Sequence, residues 1–448
     1  MRPDTERYRQ LPRKIGKYRV LARLGEGATS EVFHARDDFH RRDVAIKCVR
    51  PPSDIDASGG DSQFYERFFA AEAALVGRLE HPNVVQIYDA VADVESPHLV
   101  MEYVPGTTLK SFCRADALLS LEQIVEIGFK CAMALGYVAR QGLIHRDVKP
   151  ANLLAVMDGE KVIDVKVSDF GSVLQLDADR TQVQRVGSLA YMSPEQLDGA
   201  ELDTRADMYS LAAVLYHLIA GRPPFEGPTQ AALMQQVFNE APAPLAALRA
   251  GVPDSLDALV RGALAKQPAE RPADWDAFAQ SLAGVIARRE VPRGRVQGVL
   301  DSERFSLLRS LEFFGAFGDV ELWEVVHRAK WQRFAFGHTL YRKGQEGGSF
   351  HILAAGEVEV FRDGRKVAEL ARGTSVGEMA YLAPSEELRL HRADVIVSQP
   401  CTTISFTPQT LAQLTMGTRH RFDDAFIKVL VRRLHAAHEA LDHPRRIL

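Results

Sequence analysis

The chain has 448 residues, 46% of them hydrophobic and 25% charged, with a formal net charge of −4. That balance suits a globular protein of two or three domains and gives no global reason to expect nucleic acid or an anionic membrane as partner. The Arg-rich start MRPDTERYRQLPRKIGKYR lacks the apolar core of a signal peptide, and the longest apolar run, YSLAAVLYHLIAG, is too short to span a bilayer, so a cytoplasmic protein is expected.

Residues 1–15 read as a polar tail. YRVLARLGEGATSEVFHARD and RDVAIKCVR have the alternation and β-branched content of strands. A polar loop, RPPSDIDASGGDSQ, separates them from FYERFFAAEAALVGRL, which has helical spacing. Helical patterns dominate from about 119 to 287, and a charged, Pro- and Gly-bearing stretch at 288–310 reads as a linker. Within 311–412, read as one β-roll unit, DVELWEVVHRAKW reads as a helix and is followed by short strands punctuated by Gly337, Gly344, Gly356, Gly364, Gly373 and Gly377. Residues 413–448 predict a terminal helix with Phe422, Phe426, Val429, Leu430 and Leu434 on one face. The four cysteines, Cys48, Cys113, Cys131 and Cys401, have neither metal-ligand spacing nor a disulfide framework and are expected to be reduced thiols.

The chemistry concentrates in short motifs. In LGEGATSEV, Gly25 and Gly27 let a backbone hairpin approach phosphates with no Cβ in the way, although Ser30 stands where a third glycine is usual. VAIK ends in Lys47, a point charge for phosphates, and Glu72 on the following helix is its expected carboxylate partner. IHRDVKPANLL places three useful groups within eight residues: Asp147 to accept the proton of an attacking hydroxyl, Lys149 to neutralise a transferring phosphoryl group, and Asn152 to hold a metal ion. Asp169 in VSDFG supplies a second metal ligand. Phosphoryl transfer needs such charge neutralisation and in-line positioning more than covalent chemistry.

Residues 12–287, with these motifs in this order, resemble the eukaryotic-type protein kinases, and HRD followed by KP resembles the Ser/Thr branch. The resemblance implies a bilobal kinase domain over 16–287 that uses ATP and Mg2+ and acts on Ser/Thr of protein substrates. It implies an adenine site of Leu24, Val32, Ala45 and Leu154, with Met101 as gatekeeper and the backbone from Glu102 to Val104 at the adenine edge. It implies a Glu195–Arg271 bridge, Asp207 bracing the catalytic loop, and Ser188 helping to orient Asp147. It further implies that Arg146 receives a phosphate from the activation loop, where Thr181 is the only threonine and the expected phosphosite. SPE replaces the usual A-P-E. An ATP-binding scaffold or sensor that signals by conformation is the alternative, and the full set of catalytic positions counts against it.

The stretch FHILAAGEVEVF, the glycine spacing and VGEMAYL resemble the cyclic-nucleotide-binding domains, an eight-stranded β-roll with flanking helices; a plain structural β-roll is the alternative. The fold class is therefore α+β, a kinase fold followed by such a roll. In that family a short helix and a bidentate Arg take the cyclic phosphate, and a Glu takes the ribose hydroxyl. The resemblance places Glu378, after Gly377, at the position of that ribose-binding Glu, but with Ala393 and Val395 as anchors the Arg position falls on His391. Arg392, one place on, is expected to face away. A neutral imidazole lacks the charge and the planar fork, so cAMP or cGMP in the ordinary mode is disfavoured against another small ligand or regulation by contact. The terminal helix is expected to cap the roll, contact the kinase, or pair with itself in a homodimer. Too few residues follow 412 for a DNA-binding helix-turn-helix, and neither nucleic acid nor membrane is expected as a partner.

Overall fold

The computed structural model describes residues 11–26, 30–49, 73–92, 97–170, 189–292, 300–383, 385 and 388–442. The chain divides into two units, Met1–Val296 and Gln297–Leu448. In the first, β1 (Lys14–Ile15), β2 (Tyr18–Glu26), β3 (Ser30–Asp37), β4 (Arg42–Val49), β5 (Ile87–Val91) and β6 (His98–Glu102) form one antiparallel sheet of order β1-β2-β3-β4-β6-β5. Phe33 and Ala35 of β3, Val44 and Ile46 of β4, and Val100 of β6 share a core with Ile15 and Tyr18. Strand alternation therefore sends Ala45 and Lys47 to the other face of β4, with Met101 and Val32 as their Cα partners on the neighbouring strands.

The chain then builds a small sheet from β7 (Gly106–Thr108), β8 (Leu153–Asp158) and β9 (Lys161–Val167), beside helices α1 (Leu121–Arg140), α2 (Pro194–Asp198), α3 (Arg205–Ala220), α4 (Gln230–Asn239), α5 (Leu245–Leu248), α6 (Asp254–Ala263) and α7 (Trp275–Ala287). A capping box of Ser120 and Gln123 starts α1. Sixteen of its twenty residues are buried, which makes it the central helix of this half rather than an amphipathic surface one.

In the second unit the stretch read as linker contains α8 (Asp301–Arg309), which buries Phe305 and Leu308; its apolar positions are too few to announce a helix among the charges. It is followed by α9 (Asp319–Arg328), β10 (Lys330–Phe334), β11 (Thr339–Tyr341), β12 (Phe350–Arg362), β13 (Arg365–Leu370), β14 (Ser375–Val376), α10 (Glu378–Tyr381), β15 (Asp394–Phe406), α11 (Pro408–Ala412) and α12 (Met416–Asp442). The antiparallel sheet runs β10-β15-β12-β13, with β11 on β15 and β14 on β12. Six strands rather than eight are resolved as separate elements among the described residues, because β12 and β15 run thirteen residues each and shift register repeatedly where they pair. Gly356 sits at one such shift with φ +81°, and a Cβ there would lie 2.4 Å from the Pro400 carbonyl oxygen. We expect Gly356→Ala to destabilise this unit by about 1–3 kcal/mol, read as an earlier thermal transition. An unchanged transition would show that the bulge tolerates a side chain.

The α+β class with an antiparallel C-terminal sheet and flanking helices follows the expectation. Phe422 and Phe426 hold α12 to the roll against Phe313, Phe350 and Phe406. Leu434, expected on that same face, is exposed together with Ile427 and Val431. Among the described residues, no helix is long and apolar enough to cross a membrane.

Candidate active site

The loop between α1 and β8 carries His145, Arg146 and Asp147, and a buried carboxylate shapes it. Asp207, in the first turn of α3, accepts from the backbone N–H of His145 at 2.6 Å and of Arg146 at 2.7 Å. These bonds hold Arg146 at φ +67°, a conformation unfavourable for a residue with a Cβ. Burial pushes the Asp207 carboxyl up, while His145 and the two N–H groups oppose that. Burial also works against the charge of Arg146, with Asp207 offsetting it. His145 Nε2 lies 3.0 Å from the Ser168 carbonyl, and its ring packs 4.8 Å from that of Phe170, which ties this loop to the stretch bearing Asp169.

Three predicted residues meet on this loop. Lys149 Nζ donates to Asp147 Oδ2 at 2.6 Å, and Asn152 Nδ2 donates to the same oxygen at 2.9 Å and to the Asp147 carbonyl at 2.8 Å. From the sheet above, Lys47 Nζ reaches Asp169 Oδ1 at 2.7 Å. Burial would raise the Asp169 carboxyl, but Lys47, with His145 and Lys149 behind it, holds it down to about 2. Asp169 is therefore ionised at any neutral pH. Its second oxygen and the Asn152 amide oxygen are hard donors of the kind Mg2+ prefers, so the residues present fit that ion. Glu72, Gly27, Thr181 and Ser188 lie outside the described residues.

Along the strands above, Gly25 and Lys47 are the Cα partners of Val32 on either side, and Leu24 is exposed at the rim. Glu102, which ends β6, donates its N–H to the Gln86 carbonyl at 2.9 Å. Its carboxylate is held by Lys166 of β9 at 2.9 Å. Lys166 is the neighbour of Leu154 across β8 and β9, so one ion pair links the strand end that leads to Val104 with the small sheet below. Nothing in the sequence singled out Lys166: a lysine on an alternating strand reads as solvated.

The Glu195–Arg271 bridge is present and bidentate, at 2.6 and 2.8 Å, and the Arg271 side chain is fully buried. Ser193, which replaces the usual Ala, caps α2 through a box with Gln196, and Gln196 donates its side-chain N–H to the Arg146 carbonyl at 2.9 Å. The substitution thus supplies an N-cap that alanine could not.

In the roll, Gly377 has φ +87° and its missing side chain leaves room for the Tyr341 ring. His391 stacks on that ring at 4.0 Å and is buried, Arg392 is exposed, and burial pushes the His391 imidazole below its ordinary value. Neighbouring His351 is likewise pushed down by burial, to about 4, with His391 adding to the shift. The position that the resemblance gives to the phosphate-binding Arg is therefore occupied by a ring that burial keeps from its charged form. Glu378 is fully buried and paired with Arg433 of α12, a residue the sequence reading did not select.

A model of the protein kinase domain matches residues 18–282 and a model of the cyclic nucleotide-binding domain matches residues 331–417. Among curated proteins, the chain is similar to the serine/threonine-protein kinase PknB of Mycobacterium leprae, 38% identical over 308 residues, covering 67% of this chain and 47% of that one. It is similar to PknB of Mycolicibacterium smegmatis, 37% identical over 302 residues, covering 65% and 46%. It is also similar to the probable serine/threonine-protein kinase SCO3848 of Streptomyces coelicolor, 36% identical over 266 residues, covering 57% and 38%. The chain spans about half the length, or less, of these relatives. With more than half of its residues matched by that one domain model, the chain belongs to the protein kinase family.

Proposed function

We propose that this chain is an ATP- and Mg2+-dependent serine/threonine protein kinase of the cytoplasm, and that its C-terminal roll regulates it. The observation that carries the reading is one network: Asp147 held by Lys149 and Asn152, on a loop whose His145 and Lys149 also act on the Lys47-paired Asp169. Asn152 and Asp169 would hold Mg2+, which when bound neutralises charge on the nucleotide phosphates. Lys47 places its ammonium beside the same carboxylate, where it can hold phosphate oxygens. Asp147 Oδ1, the oxygen that Lys149 and Asn152 leave unengaged, takes the proton of the substrate hydroxyl as phosphoryl transfer proceeds. Lys149 stabilises the charge that develops on the transferring group. Leu24, Gly25, Gly27, Val32, Ala45, Met101, Glu102, Val104 and Leu154 form the ATP site, and the Lys166–Glu102 pair fixes the strand end that presents the adenine edge. Thr181 is the activation-loop phosphosite.

Purified chain with radiolabelled ATP and Mg2+ is expected to incorporate phosphate into itself or generic basic substrates. Absence of incorporation, together with no ATP-dependent thermal shift, would end the enzyme reading. Regulation is tested by comparing the full chain with residues 1–290: a large change in activity is expected, and equal activity would reduce the roll to an interaction module.

A further inference from the structure

The buried acid of the roll already has a partner, and that partner comes from the terminal helix. Glu378 sits behind the left-handed Gly377 with its side chain 1% exposed, while the Arg433 side chain is 41% exposed. One Arg433 nitrogen binds Glu378 Oε1 and the other donates to the Ser375 carbonyl at 2.8 Å. The guanidinium thus spans the end of β14 and the start of α10, the two elements that flank Gly377. Burial raises the Glu378 carboxyl and Arg433 is the first influence opposing it, so the charged form of this acid depends on the helix. Below that contact α12 is anchored by Phe422 and Phe426, whereas around Arg433 its apolar residues Ile427, Val431 and Leu434 face outward. Packing holds the first half of α12; beyond it, among the described residues, Arg432 pairs with the exposed Glu312 at 2.7 Å and Arg433 reaches the buried Glu378.

We propose that Arg433 is a tethered occupant of the roll's ligand site: it latches the second half of α12 onto Glu378 in the absence of ligand. A ligand hydroxyl that needs the Glu378 carboxylate must then displace the helix. The electrostatics agree. Glu378 and Arg433 cancel, and the neutral His391 adds nothing, so the site offers an anion no net positive charge while the latch is closed. A cyclic nucleotide would therefore loosen α12 here rather than draw it closed. This reading rests on the cyclic nucleotide-binding match and is independent of whether the kinase is active.

The test uses the full chain. Hydrogen–deuterium exchange in peptides covering 427–442 should rise about ten-fold or more in Arg433→Ala, equivalent to losing one well-formed charge-assisted contact. Glu378→Gln should raise it to a similar extent, and the double variant no further, because the two side chains act as one unit. Peptides within Phe350–Arg362 should keep their wild-type exchange, which separates an opened latch from an unfolded roll. Wild-type exchange over 427–442 in both single variants would overturn the latch, as would additive effects in the double variant. Calorimetric titration with cAMP tests occupancy: binding to Arg433→Ala at least ten-fold tighter than to wild type is expected. Equal affinity, or no detectable binding to the variant, would overturn the claim that the guanidinium is what blocks the site.

Discussion

Asp147→Asn is expected to lower the rate of phosphate incorporation by about 10²–10⁴-fold, the contribution of a positioned acid–base group. The substitution is close to isosteric. An asparagine oxygen can still accept from Lys149, and the loop itself is held by Asp207 through the backbone of His145 and Arg146, which the change leaves alone. Fold and nucleotide affinity should therefore survive. The measurement is a radiolabel assay paired with an ATP-dependent thermal shift: transfer lost, shift retained. A variant that transfers phosphate at the wild-type rate would show that the hydroxyl proton does not pass to Asp147. Loss of transfer and shift together would mean that Asp147 supports the nucleotide site rather than the chemistry.

Arg271→Ala is expected to cost about 3–5 kcal/mol of kinase-domain stability, as when one partner of a buried ion pair is removed. Against a total of about 5–15 kcal/mol that is a large share. The cost is high because Arg271 also donates to the Ala265, Arg205 and Lys266 carbonyls, so its loss strips Glu195 and three backbone oxygens at once. Replacing the pair together, Arg271→Met with Glu195→Gln, should recover part of the loss, since no charge is then left buried. Burial raises the Glu195 carboxyl, but Arg271 overrides it and holds the group below its ordinary 4.5. A depressed acid contributes its full stability above the unfolded value and loses it as pH falls through the folded one. Wild type should therefore show an acid-dependent loss below about 4.5 that Arg271→Met lacks. Urea melts across that range check both statements. Equal midpoints for wild type and Arg271→Ala would remove the bridge from the list of stabilising contacts.

The parts of the candidate site legible in the sequence lie within short stretches whose chemistry admits few residue types. Asp147, Lys149 and Asn152 are at most five positions apart, and the structure gathers them into one hydrogen-bonded network. Asp207 and the Glu195–Arg271 pair were legible through resemblance, since no local pattern links residues 76 apart. Arg392 is exposed and His391 buried, as expected, but both precede β15 (Asp394–Phe406), so strand alternation is not what sets them apart. The helix at Asp301–Arg309 was hidden because its charges outweigh a weak apolar pattern. The roll's strands merged into two long ones because bulges let a single strand turn without ending.

By itself the sequence determined the residue types that phosphoryl transfer requires, their order, and the presence of a histidine where the resemblance would place the roll's phosphate-binding arginine. Only the tertiary structure decided which charges meet. Lys166 reaches Glu102 across 64 positions, and Arg433 reaches Glu378 across 55. A lysine on a strand and an arginine on a charged helix both read as solvated until the fold places a half-buried or buried carboxylate beside them. The reason is that an ion pair depends on distance and desolvation, and neither is a property of the neighbouring residues in the chain.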